Sequence, residues 1–99
     1  MILGRVIGTV WSTRKDENLI GAKFLIVRQL DLEYNPQKNF IVAVDSVGAG
    51  VGEIVLCAQG SSARQTYLTK NKPVDAVIMA IVDKLDVSVK EKLGELVEK

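Results

Sequence analysis

Three groups of residues in this chain have types or spacings that could do chemistry. The first is the turn Gly48-Ala49-Gly50-Val51-Gly52, with glycine at every second position. Phosphate-binding loops use glycine in this way to bring backbone amides against an anion. A dinucleotide fingerprint, however, would need a further glycine where Glu53 stands and would have to open a helix, whereas Ile54 to Ala58 reads as a strand. The nucleoside-triphosphate version ends in Gly-Lys-Ser or Gly-Lys-Thr, which this turn lacks. Alternate glycines are expected here to supply positive φ and to let backbone from a neighbouring strand or subunit approach closely.

The second group is Gly60-Ser61-Ser62-Ala63-Arg64. It can be read as an anion nest with Arg64 as the charged partner. It can also be read as a turn in which a serine caps one helical turn through Gln65 or Thr66. Ser61 and Ser62 have no histidine to activate them, because the chain contains none. Capping, with Arg64 contacting a neighbouring subunit, is the expectation. The third group is Asp45 and Asp83, each closing an apolar run. Paired carboxylates can perform acid–base chemistry, but nothing in the sequence places these two together. Strand-end aspartates ordinarily bind turn amides or pair with lysine or arginine. The lone cysteine, Cys57, lies inside the apolar run and reads as a small buried side chain, compatible with a reducing cytoplasm.

Composition sets the limits around these groups. The chain has 99 residues, enough for one domain with a modest core. It is 47% apolar and 25% charged, with a formal net charge of +1. That balance provides no electrostatic footprint for nucleic acid or anionic lipid. No apolar run approaches the roughly 20 residues needed to span a bilayer. The start of the chain enters strand-like sequence without a basic leader, so a secretion signal is not expected. Without histidine, and with one cysteine, the usual zinc sets and an internal disulfide are excluded. No metal or cofactor is expected.

Five runs rich in β-branched residues must position these groups: Ile2 to Trp11, Phe24 to Leu30, Phe40 to Asp45, Ile54 to Gln59 and Ala76 to Asp83. The connections are polar or glycine-bearing, and Asn35-Pro36 marks a turn. None of the connections carries a sustained helical period, so an all-β barrel or sandwich with antiparallel pairing follows. A register change at the C-terminus, with a capping box from Ser88 to Glu91 and a stripe of Val89, Leu93, Leu96 and Val97, predicts a short helix. The expected division is a barrel over residues 1–84 and a helical extension over 85–99. The strands are apolar on both sides. In the first, Ile2, Val6 and Val10 are expected to face one way and Leu3, Ile7 and Trp11 the other. One barrel interior cannot cover both sets, which predicts a homo-oligomer with closed rotational symmetry. A small five-stranded barrel also raises single-strand nucleic-acid binding as an alternative, although the aromatics Trp11, Phe24, Tyr34, Phe40 and Tyr67 are scattered without basic interleaving.

Five blocks in register resemble the EutN/CcmL family of bacterial microcompartment vertex proteins. They are Gly4 to Lys15, Leu19 to Val27, Ala43 to Leu56, Gly60 to Arg64 and Pro73 to Asp83. The resemblance covers about residues 1 to 84. It implies an oligonucleotide-binding-like (OB-like) barrel in a cyclic homopentamer, seated among hexameric shell proteins at the vertices of a shell in the bacterial cytoplasm. It implies no catalysis, no cofactor, no nucleic acid and no membrane. The assembly candidates under this reading are Gly48, Gly50, Gly52, Ser61, Ser62, Arg64, Asp45 and Asp83.

Overall fold

The computed structural model of the chain describes residues 1–12, 17–60, 63 and 75–88. It contains five strands: β1 (Ile2–Val10), β2 (Phe24–Leu30), β3 (Pro36–Asp45), β4 (Ile54–Gln59) and β5 (Ala76–Ile81). A short 3-10 turn, Glu17–Leu19, lies between β1 and β2. The strands close into a barrel in the order β1-β2-β3-β5-β4, with β1 also pairing β4. β2 and β4 have the bounds expected from their apolar runs. β3 starts earlier, at Pro36, because a proline is tolerated as the first residue of a strand and the exposed Pro36–Asn39 segment extends the hairpin.

One pairing departs from the expected antiparallel pattern. β3 and β5 run parallel, joined through Val44↔Val77 and Asp45↔Ile78. The reason is parity: five strands in a closed ring cannot alternate direction all the way round, so one neighbouring pair must be parallel. The strand order places that seam between β3 and β5.

The interior holds Val6, Leu25, Val27, Ala43, Ala49, Val55, Cys57, Ala76 and Ile78, with Ile2, Ile41 and Ile81 packed against them. β1 reaches this core only as far as a bulge. The register slips between Val6 and Gly8, so Val6 pairs with buried Val27, while Val10 pairs with Phe24 on the outer face. The expectation that Ile2, Val6 and Val10 share one face therefore fails at Val10, because an inserted residue reverses the alternation beyond it. Gly4, opposite Gln29 on β2, has no room for a side chain. A Cβ there would lie 2.3 Å from Cγ1 of Val27 and 2.8 Å from the carbonyl oxygen of Arg28.

Part of the outward apolar surface is covered within the chain. Val44, Ala58, Ala63 and Val77 form a second buried cluster, against which Leu19, Ala22 and Phe24 pack. Alternation puts this cluster on the side of β3, β4 and β5 opposite the interior. The β2–β3 turn is built on Asp31, whose Oδ1 accepts from the amides of Glu33 at 2.8 Å and Asn35 at 2.9 Å. Those amide bonds hold its carboxyl below the usual aspartate value. Tyr34 takes φ 66° in this turn, and its hydroxyl accepts a bond from the amide of Leu85 at 3.2 Å. After β5 the chain is first held by Val82, whose amide donates to the carbonyl of Ile54 at 2.7 Å. It then crosses to the hairpin. Ser88 is exposed and non-helical, and the rest of the predicted C-terminal helix lies outside the described residues.

Candidate assembly surface

The glycine turn is tied down from three directions. Oδ1 of Asp45, at the end of β3, accepts from the amides of Val47 at 3.1 Å, Gly48 at 3.1 Å and Ala49 at 3.2 Å. This is the turn-amide role expected of a strand-end aspartate. On the far side, the amide of Gly52 donates to Val6 and the amide of Val6 donates to Glu53, at 2.8 and 2.9 Å. Arg5 Nη1 donates to the carbonyl of Gly52 at 3.0 Å, and Lys23 Nζ to that of Ala49 at 3.4 Å. The amide of Gly50 donates to Oε1 of Glu53 at 2.7 Å.

The three glycines are not equivalent. Gly48 and Gly52 have φ of 77° and 95°, a region that side-chain-bearing residues avoid. Gly50 does not, and a Cβ there would meet only Oε1 of Glu53 at 3.6 Å, an ordinary contact. The expectation of positive φ at alternate positions thus holds at two of the three. A Cβ at Gly48 or Gly52 would meet nothing within 4 Å, so no strand of the same chain crowds them. The turn's amides are directed to Asp45, Glu53 and β1, so it is a braced structural turn whose Val47 and Val51 project outward, Val51 at 67% exposure.

Asp83 is exposed beyond the end of β5. Asp45 pairs with Ile78, and the strand from Ile78 to Ile81 alone spans about 10 Å. The two carboxylates are thus not brought together. Ser61, Ser62 and Arg64 lie outside the described residues. Of their loop, Ala63 is buried in the second cluster and the amide of Gly60 donates to the carbonyl of Asp75 at 2.7 Å. Cys57 is fully buried, and desolvation pushes its thiol up to about 11, away from nucleophilic use at neutral pH. Among the described residues no group of three or more histidine, cysteine, aspartate or glutamate side chains could hold a metal ion. No helix among them is long and apolar enough to cross a membrane.

The outer face of β1, β2 and β3 is a surface that inspection of the motifs missed. Cross-strand register sets Gly8, Ile26 and Val42 in one row and Ile54, Arg5, Arg28 and Phe40 in the next. Phe40 is 59% exposed and Val42 43%. The alternation of β3, Phe40 and Val42 against Ile41 and Ala43, was the available signal. What it could not reveal was which residues of β1 stand beside them.

A small closed barrel with a braced turn and apolar rows outside defines a structural assembly module. Comparison with known proteins identifies which one. The family described as "Ethanolamine utilisation protein EutN/carboxysome" matches residues 1–83. The chain is 44% identical over 87 residues to the carboxysome shell vertex protein CcmL of Gloeobacter violaceus, covering 88% of this chain and 87% of that one. It is 48% identical over 89 residues to the microcompartment shell vertex protein PduN of Salmonella typhimurium, covering 86% and 98%. The solved structure of the GrpN pentameric microcompartment shell protein of Rhodospirillum rubrum superposes with a TM-score of 0.82 at 46% identity, covering 89% of this chain and 100% of that chain. The chain belongs to the EutN/CcmL family of shell vertex proteins. It is a structural shell component and not an enzyme, and the relatives lend no support to single-strand nucleic-acid binding.

Proposed function

We propose that this chain assembles into a cyclic homopentamer that closes the vertices of a bacterial microcompartment shell in the cytoplasm, seated among hexameric shell proteins. The observation that carries the proposal is the apolar surface left outside a filled barrel: Ile7, Val10, Phe40, Val42, Val47, Val51 and Met79 all remain exposed in one protomer. An isolated soluble barrel has no use for so much apolar surface, whereas a subunit interface buries it. The pentameric GrpN relative supplies the number of subunits. The barrel, residues 1–84, is the assembling body, and residues 85–99 form a C-terminal extension to it.

Within this reading the glycine turn (Gly48, Gly50, Gly52) and the strand-end acids Asp45 and Asp83 contribute at or near subunit contacts. So does the loop carrying Ser61, Ser62 and Arg64. Asp45 acts by shaping the turn that presents Val47 and Val51. Native mass spectrometry of the chain at micromolar concentration is expected to give a pentamer. Co-expression with hexameric shell proteins is expected to give closed polyhedra, and open-cornered shells when the chain is omitted. A monomer or hexamer under those conditions, or shells that close equally well without it, refutes the proposal.

A further inference from the structure

Arg5 and Arg28 stand directly opposite each other on adjacent antiparallel strands. Val6 and Val27, next to them, are wholly buried in the interior, so alternation puts both arginines on the outer face. Like charges in directly opposed positions repel, and among the described residues no carboxylate forms an ion pair with either arginine. Among the described residues the ion pair present is Lys84 with Asp86, at 3.6 Å. Arg5 donates to the carbonyl of Gly52 at 3.0 Å and Arg28 to that of Gln37 at 3.2 Å, so each guanidinium is steadied by a neutral oxygen. Nε of Arg28 is buried without any partner. Phe40 is the next residue in the row, paired with Arg28 and largely exposed.

We infer that the Arg5–Arg28 pair with Phe40 is one side of a protein interface, and that it receives a carboxylate from a second copy of this chain. Aromatic and arginine side chains at the centre of a patch are the groups that dominate subunit contacts. The site lies on the outer face of the sheet, where a side chain protruding from a neighbouring subunit can reach it. A cyclic assembly is heterologous, so each protomer must offer two different surfaces, one meeting the other on its neighbour. The chain carries 12 acidic and 13 basic residues, so each copy can supply the counter-charge that its neighbour lacks. The inference rests on the pentamer proposed above and names one face of its interface.

The test is the dissociation of the full-length oligomer, followed by native mass spectrometry and sedimentation between about 0.05 and 0.5 M sodium chloride, a range over which exposed charges become screened. Neutralising both arginines (Arg5→Gln with Arg28→Gln) is expected to raise the dissociation concentration at least about tenfold at low salt and to flatten its salt dependence. Arg5→Lys with Arg28→Lys, which retains the charge, is expected to fall between that variant and the parent. Lys84→Gln is expected to change nothing. Circular dichroism melts of the dissociated forms check that each barrel still folds; if the Gln and Lys pairs weaken assembly equally while both stay folded, the charge of the face is not what holds the subunits and the inference fails. A parent pentamer whose Gln variant assembles identically overturns the inference but leaves the pentamer standing. So does a Gln variant that forms normal pentamers yet no longer joins hexameric shell proteins, which would assign the face to them. A parent that forms no pentamer defeats the underlying proposal as well.

Discussion

Replacing Gly4 by alanine should be the most damaging single methyl addition in the described barrel. The new Cβ would sit 2.3 Å from Cγ1 of Val27 and 2.8 Å from the carbonyl oxygen of Arg28. Neither neighbour can step aside. Val27 is wholly buried and β-branched, so its side chain has few other rotamers, and the Arg28 carbonyl belongs to the backbone of β2. β1 must therefore move away from β2 where Gly4 faces Gln29. Overpacking of this kind costs about 1–3 kcal/mol, and a backbone contact argues for the upper end. Alanine returns about 0.4–1 kcal/mol by restricting the unfolded chain, which leaves a net loss of about 2 kcal/mol. For a domain of this size that is a drop of roughly 8–16 °C in Tm. Gly50→Ala is the control, because its Cβ meets only Oε1 of Glu53 at 3.6 Å and its φ is not positive. It should melt within about 1 kcal/mol of the parent, whereas Gly48→Ala and Gly52→Ala should each lose about 1–2 kcal/mol through left-handed backbone strain. All four are compared by thermal melts at one protomer concentration, since oligomers melt in a concentration-dependent way. A Gly4→Ala protein that melts within two or three degrees of the parent, or below which Gly50→Ala falls, would show that the close approach of β1 and β2 is not a constraint.

Three further outcomes follow from single groups. Asp45→Ala removes the acceptor of three turn amides and should cost about 1–3 kcal/mol, with Asp45→Asn retaining part of it; an alanine variant with unchanged urea midpoint would refute the bracing role. Cys57 should react with a thiol reagent at pH 8 on the order of a hundredfold more slowly in the folded protein than in urea, since burial raises its value from 9.0 to about 11. Because the folded state holds that proton more tightly, the associated stability of about 2–3 kcal/mol is complete below about pH 9 and disappears as pH rises toward 11; a stability profile flat through that window counts against it. Tyr34→Phe deletes the hydroxyl that accepts from Leu85, and should speed amide exchange at Leu85 by up to about tenfold while leaving the barrel's melting point unchanged; unaltered exchange would mean that the segment is held elsewhere.

Local chemistry made part of this protein legible before any coordinates. Runs of valine and isoleucine between polar or glycine-bearing connections marked five strands, and the bounds of β2 and β4 were those of their apolar runs. A cysteine inside such a run is buried, and an aspartate ending one finds turn amides. Both are properties of a few adjacent residues, and both appear at Cys57 and Asp45. The two-sided apolar strands pointed to association, and five sequence blocks in order pointed to the family. Tertiary structure alone decided what depends on register between distant strands. The bulge after Val6 turned Val10 outward, the ring order placed the parallel seam between β3 and β5, and the pairing of β1 with β2 set Gly4 against Val27 and Arg5 against Arg28. A side-chain period reports which residues of one strand share a face, but it carries no information about what stands opposite them. That is settled when the barrel closes, because closure selects the one register that fills the interior.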